Sequence, residues 1–282
     1  MRSAIEPYVI AEIGINHNGD FDLARELIVS AASCGVDAVK FQKRNPDICV
    51  PESQKGLLRD TPWGQMTYLD YKKRIEFGFD EYVELKNIAH EHGLDFSASA
   101  WDLESLDFLD RVGVDFHKVA SAMVTNTSFI SEVANRGLDT FVSTGMTTWE
   151  QIDHAVEVFR SLKGRFVLLH SVSTYPAKES ELNLRMIETF RKKYSVEVGY
   201  SGHESAVSPS IVAASIGATV IERHFTLNRA SWGTDHAASL EPEAMRRLVG
   251  ALRKVKLVLG DGEKREIEGE ASVAAKLRYW DA

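Results

Sequence analysis

The chain has 282 residues, 44% of them hydrophobic and 26% charged, an ordinary globular balance with no apolar run approaching the ~20 residues a membrane-spanning helix needs. Its 33 basic and 41 acidic side chains leave a formal charge of −8, which argues against a broad nucleic-acid or anionic-membrane surface, so any anionic ligand must be held by local cations. Cys34 and Cys49 provide neither a disulfide framework nor a metal-type spacing, and Met1 to Pro7 carry no export signal, so a cytoplasmic location is expected.

Taken in chain order, short β-rich runs alternate with amphipathic helical stretches. The predicted strands are Tyr8 to Ile13, Ala38 to Gln42, Asp95 to Ser99, Phe116 to Val119, Thr140 to Ser143, Phe166 to His170, Val196 to Tyr200 and Val220 to Phe225. Between them lie helices such as Asp22 to Cys34, stopped by Gly35, and Trp149 to Leu162, preceded by the capping hydroxyls of Thr147 and Thr148. Repeated βα units of this kind predict an α/β protein, a single (β/α)8 TIM barrel over residues 1–282, in preference to an open doubly wound sheet. The stretch from about 43 to 78 far exceeds the usual connection of ~4 to 6 residues. It carries Trp63, Tyr68 and Tyr71 and reads either as a lid or as a surface excursion with its own short helix. A charged tail, too short for another domain, follows from about residue 261.

Parallel barrels build their active sites at the C-terminal ends of the strands, and polar residues recur there. Glu12 ends the first strand, Lys40 and Gln42 the second, Ser99 the third and Lys118 the fourth, with Ser121 just beyond. Ser143, His170 and His224 end the fifth, sixth and eighth. Strand alternation puts Ala38, Lys40 and Gln42 on one face, and Val220, Glu222 and His224 on another. Lysines at inward positions need anionic company, which Glu12, Glu222 or a bound phosphate or carboxylate would supply. The serines suit phosphate binding and equally suit helix caps.

His203 and His224 follow neighbouring strands, where neutral imidazoles can share a divalent ion and leave positions open for water or substrate. A lone histidine is more often a satisfied structural group, and adjacency is what favours the pair. Asp235, after the last strand, is a candidate acid or base, or else a solvated loop carboxylate. No P-loop, Gly-x-Gly-x-x-Gly fingerprint or His-Glu-x-x-His helix is present.

Ala11-Glu12-Ile13-Gly14-Ile15-Asn16-His17-Asn18-Gly19-Asp20 and Ala38-Val39-Lys40-Phe41-Gln42 resemble the opening of bacterial sialic acid (N-acetylneuraminate) synthases. The likeness continues in order through Ser143-Thr144-Gly145-Met146, Tyr175-Pro176, Gly199-Tyr200-Ser201-Gly202-His203, Ile221-Glu222-Arg223-His224-Phe225-Thr226 and Asp235-His236. The resemblance implies condensation of phosphoenolpyruvate with the open-chain aldehyde of an N-acylated hexosamine, giving a nonulosonic acid and phosphate. It implies Mn2+ or another divalent cation such as Mg2+ or Co2+ on His203 and His224. Phosphoenolpyruvate would lie on Lys40, Ser99, Lys118, Ser121 and Ser143. Glu12, Gln42, Ser173, Tyr175 and Asp235 would face the sugar or the reacting water, with Glu12 and Asp235 the candidate acid and base, and a homodimer is an expected assembly.

Three departures stand out. Ala120-Ser121-Ala122-Met123 replaces the family's usual Gly-Ser-Gly-Glu, Ser173 replaces a common asparagine, and the small C-terminal antifreeze-like domain is absent from this sequence. A variant sugar is therefore expected. The competing readings are another phosphoenolpyruvate-dependent deoxy-ulosonate synthase, a metal-dependent aldolase, or a barrel that only binds ligand.

Overall fold

The computed structural model describes residues 6–280, so the leader reading of Met1 to Pro7 falls mostly, and Asp281 and Ala282 wholly, outside the described residues. Among the described residues ten strands form: β1 (Tyr8–Gly14), β2 (Ala38–Lys43), β3 (Leu58–Thr61), β4 (Gly64–Thr67), β5 (Asp95–Ala100), β6 (His117–Val119), β7 (Thr140–Ser143), β8 (Phe166–Ser171), β9 (Val198–Gly202) and β10 (Val220–His224). Eight of them close a barrel in the order β1-β10-β9-β8-β7-β6-β5-β2, while β3 and β4 form a separate hairpin. Every barrel pairing is parallel. The fold class is the one the alternating pattern predicts. β9 starts two residues later than expected, because its ladder with β10 pairs Tyr200 with Ile221, Ser201 with Glu222 and Gly202 with Arg223. Long-range pairing, not local β propensity, sets that boundary, and it carries Ser201 into the sheet.

The helices form where an apolar stripe and a cap coincide. In Phe21–Ser33 the side chain of Asp20 accepts the amide of Leu23 at 3.0 Å, and Ala24, Leu27, Ile28 and Ala31 form the buried face. Burying Leu27 and Ile28 contributes about 1.5–3 kcal/mol each. In Trp149–Ser161 the cap is Thr148, joined by Gln151 in a capping box. Thr147 instead donates its hydroxyl to the Thr144 carbonyl at 2.6 Å.

Strand alternation divides the apolar residues into two layers. Val9, Ala11, Ile13, Val39 and Phe41 face outward against the helices, whereas Ile10, Ala38, Phe116, Phe141, Val167, Leu169 and Val220 fill the lower barrel interior. That plug turns the interior above it into a cup. Gly199 belongs to the wall: a Cβ there would lie 2.5 Å from the Val220 carbonyl oxygen and 2.7 Å from the Val220 Cβ.

The long connection has structure of its own, comprising two four-residue helices, the β3–β4 hairpin and the helix Tyr68–Arg74. It packs against the loops that follow β1 and β10. Tyr71 is buried with Ile15 and Ile75 and meets Trp232 edge-on at 5.3 Å, and Trp63 contacts Trp232 at 6.1 Å. The excursion thus walls one side of the mouth. At the other end of the chain, Glu268–Leu277 forms a helix with no buried residue. Among the described residues no helix is long and apolar enough to cross a membrane.

Replacing Gly199 by alanine forces the β9–β10 backbones apart, since neither the carbonyl nor the β-branched neighbour can yield. We expect a loss of about 1–3 kcal/mol in denaturant unfolding; unchanged stability would show that the wall has slack.

Candidate active site

The upper interior of the barrel holds a lattice of opposite charges. Register places Glu12 beside both Lys40 and His224, and Ser99 beside Lys118, so the strand ends project these groups into one space. Lys40 is ion-paired with Glu12, donates to Ser99 Oγ at 2.9 Å and lies 3.9 Å from Glu222. Lys118 meets Glu222 at 3.2 Å, and Ser201 donates to the same carboxylate at 2.8 Å. All four charged side chains are at most 6% exposed. Burial pushes the Lys118 ammonium below the usual lysine range, with Glu222 opposing that push. Burial alone would raise Glu222, but Lys118 and Lys40 outweigh it and hold the carboxyl below its usual range. The anionic company left open by the sequence is therefore internal.

Above this floor sits the histidine pair, with ring centroids 5.6 Å apart. His203 Nδ1 faces the Val172 carbonyl at 2.7 Å and must donate to it, which leaves the lone pair on Nε2. Tyr175 donates its hydroxyl to that nitrogen at 2.9 Å. Burial, reinforced by His224, lowers His203 to about 3, so its imidazole is neutral at ordinary pH. His224 Nδ1 is buried without a hydrogen-bond partner. Two imidazoles on one cation at ~2.1 Å stand with centroids roughly 4.5–5.5 Å apart, and a carbonyl orienting the distal nitrogen is the usual support of such a ligand. At 5.6 Å the pair stands just outside that span, so His203 and His224 would hold two positions of a divalent site after a small approach of the rings and displacement of the Tyr175 hydroxyl. No third His, Cys, Asp or Glu joins them in a cluster among the described residues, so the remaining positions would belong to water or substrate.

The other predicted residues surround these two layers. Gly14 turns at φ +58, and the space a Cβ would occupy there has Gln42 Nε2 and Glu12 Oε1 at 3.1 Å and Asp235 Oδ2 at 3.5 Å. Asp235 is thereby brought from its distant loop to Glu12. Gln42 donates to Glu12 at 3.2 Å and accepts from Arg44. Ser121 Oγ accepts the Gly145 amide at 3.0 Å, and a Cβ on Gly145 would lie 2.2 Å from Ser173 Oγ, so Gly145 lets two hydroxyls converge. Ser143 Oγ is buried and without a partner, an unused donor in the cup. His170, by contrast, faces the outer core. Its Nε2 donates to the Leu182 carbonyl at 2.6 Å, and its ring packs near Phe190. Glu222 and Ser201 join the site as well, each two residues before a histidine and so on the same strand face, which is the signal the sequence offers for them. Arg44 carried no sequence signal at all.

Fold and site together define a (β/α)8-barrel enzyme with a charged mouth. The chain belongs to the NeuB family, which it matches over residues 27–264. It is 36% identical over 275 residues to the N-acetylneuraminate-9-phosphate synthase of Mus musculus, covering 96% of this chain and 76% of that protein. It is 34% identical over 284 residues to the N,N'-diacetyllegionaminic acid synthase of Legionella pneumophila, covering 98% and 80%. The crystal structure of the N-acetylneuraminic acid synthetase of Leptospira borgpetersenii, in complex with citrate, superimposes with a TM-score of 0.86 at 31% identity, covering 98% of this chain and 94% of that one.

Burial lowers His17 and His203 to about 3 and His117 to about 4, whereas an unfolded histidine takes up its proton near pH 6.5. Protonation therefore favours the unfolded chain. The stability these groups contribute is complete above about pH 6.5 and falls as the pH drops toward 4. In EDTA, unfolding at pH 5 should take up at least roughly two protons, read from the pH dependence of denaturant midpoints. A flat profile between pH 7 and 5 would mean that these histidines are charged in the fold.

Proposed function

We propose that the chain condenses phosphoenolpyruvate with the open-chain aldehyde of an N-acylated hexosamine, N-acetylmannosamine or a variant sugar, to give a nonulosonic acid and inorganic phosphate. The reaction would use Mn2+, or Mg2+ or Co2+, held by His203 and His224. The observation that carries this reading is the vertical order of the cup, with paired lysines and hydroxyls below and, at the rim, the His203 lone pair beside the unpartnered His224 Nδ1. Supporting it, the named relatives are synthases of nine-carbon sugar acids.

The chemistry joins the methylene carbon of phosphoenolpyruvate to the aldehyde carbon, adds water at the enol carbon and releases phosphate. Lys40 and Lys118 would hold the carboxylate and phosphate, with Ser99, Ser121 and the unpartnered Ser143 as hydroxyl donors, a role their position in the cup supports. Two buried ammonium groups facing two carboxylates leave little excess positive charge for so anionic a ligand. A divalent cation would supply that charge and polarise the aldehyde oxygen. The aldehyde oxygen must gain a proton and the attacking water must lose one. Glu12 and Asp235 would exchange them, a role supported by the approach of both carboxylates to Gly14. Gln42, Ser173 and Tyr175 would line the approach on the sugar side. The reading carries with it a cytoplasmic location, in keeping with the two free thiols, and a homodimeric assembly.

Met123, where the resembled family carries a glutamate, packs against the outer core, so no carboxylate is offered to the sugar from that loop. This supports a variant sugar, because a missing polar contact shifts preference between substrates.

Phosphate release and product mass, measured with Mn2+, phosphoenolpyruvate and a panel of hexosamines and aldoses, tests the reaction. Release that depends on a sugar is expected. Binding without release would point to a non-catalytic barrel, and turnover of pyruvate in place of phosphoenolpyruvate to an aldolase. His203→Ala and His224→Ala should each lower metal-dependent turnover by at least roughly 100-fold, and unchanged turnover in either would remove the pair from the reaction. The best sugar should outpace N-acetylmannosamine; equal rates would sink the variant-substrate idea.

A further inference from the structure

Each rim histidine is chained directly to one half of a buried ion pair that the chemistry above does not use. Glu204 follows His203 and Arg223 precedes His224. Their side chains, 1% and 0% exposed, meet at 3.0 Å. Because His224 points into the cup, its neighbour Arg223 points out of the barrel, and the pair lies behind the wall. Arg223 Nη1 also donates to the Ala206 carbonyl at 2.9 Å and to Ser210 Oγ at 3.0 Å, while its Nη2 donates to the Glu204 carbonyl. Tyr200 donates to the second Glu204 oxygen at 2.7 Å. Gly202 makes room for the arrangement, since a Cβ there would lie 2.7 Å from the Glu204 carboxylate and 2.6 Å from the Tyr200 ring.

A pair this deeply buried is a poor device for stability alone, because desolvating two charges consumes most of what their attraction returns. Its place in the chain suggests another task. The β9–β10 ladder runs from Tyr200–Ile221 to Gly202–Arg223 and ends there, one residue short of His203. The His203 ring is held by Val172 and its carbonyl by the Ala177 amide, both on the segment after β8. The Glu204–Arg223 contact is the tether that runs to β10, the strand carrying His224.

We propose that Glu204 and Arg223 are positioning residues whose pairing holds the backbone of His203 at the distance from His224 at which both imidazoles meet one divalent cation. This rests on the metal reading above. The test is Mn2+ binding to the full chain, followed by electron paramagnetic resonance of free Mn2+ and by calorimetry without sugar, alongside thermal unfolding and phosphoenolpyruvate binding in EDTA. Glu204→Gln and Arg223→Met should weaken Mn2+ binding by about 10- to 100-fold, and Arg223→Lys should restore part of the loss. Tyr200→Phe, which removes a single hydrogen bond from Glu204, should weaken it by a smaller, roughly few-fold factor. Phosphoenolpyruvate affinity in EDTA should be unchanged. A folded variant with wild-type Mn2+ affinity overturns the proposal, as does parallel loss of Mn2+ and phosphoenolpyruvate binding, the pattern of a purely structural role. Should both ion-pair variants fail to fold, Tyr200→Phe decides. A wild-type chain that binds no Mn2+ would bring down the metal reading together with this inference. Loss of binding in His203→Ala but not in Glu204→Gln would leave the metal reading standing and remove this one.

Discussion

Two lysines and two carboxylates are buried together near the top of a barrel, and every one of them is tolerable only because an opposite charge stands beside it. Removing any one would leave an uncompensated charge in a desolvated space, at a cost of several kcal/mol. The lattice depends on register, since Glu12 faces Lys40 across one ladder and Glu222 faces Ser201 across another. A slip of one residue in either pairing would turn these groups into the apolar layer under the helices. The hydrophobic sorting of the strands and the electrostatics of the mouth are therefore one constraint, met or lost together.

The layers above and below the lattice follow from it. Ile10, Phe116, Phe141, Val167 and Val220 plug the barrel beneath, which keeps water from entering the charged layer from that side. The opposite end opens as a cavity between the strand starts, lined by Tyr8, Asp37, Asp95, Asp115 and Asp139, but those groups belong to the end of the barrel that serves stability. Arg253 bridges Asp37 and the Gly35 carbonyl there. The charged cup opens at the other rim, where Gly14 leaves space for Asp235 and Gly145 leaves space for Ser121 and Ser173.

The rim is supported from behind. His203 and His224 are reached by ordinary strand geometry, but their mutual placement lies beyond the last rung of the ladder that joins their strands. Hydrogen bonds to the Val172 carbonyl, from the Ala177 amide and within the Tyr200–Glu204–Arg223 network take over where the sheet stops. Within it Glu204 Oε1 meets Arg223 as an ion pair without a hydrogen bond and Arg223 Nε has no hydrogen-bond partner, so charge pairing as well as hydrogen bonding specifies the arrangement.

Much of this was legible in the residues. Period-two alternation placed Lys40, Gln42, Glu222 and His224 on inward faces, and repeated βα units announced the barrel, because side-chain direction along a strand is a local property of the backbone. The ordered motifs identified the family. Sequence could not assign the partners of those inward groups: whether the lysines met Glu12 and Glu222 or awaited a ligand, that His170 belongs to the outer core, or that Asp235 returns to Glu12 across more than two hundred residues. Nor could it show that the long excursion packs on Trp232. Those outcomes depend on closure of the sheet and on its register, which bring together groups far apart in the chain. By itself the sequence determined which side chains face the cup; only the tertiary structure decided which of them meet, because distance across a closed barrel is a property of the whole ring of strands.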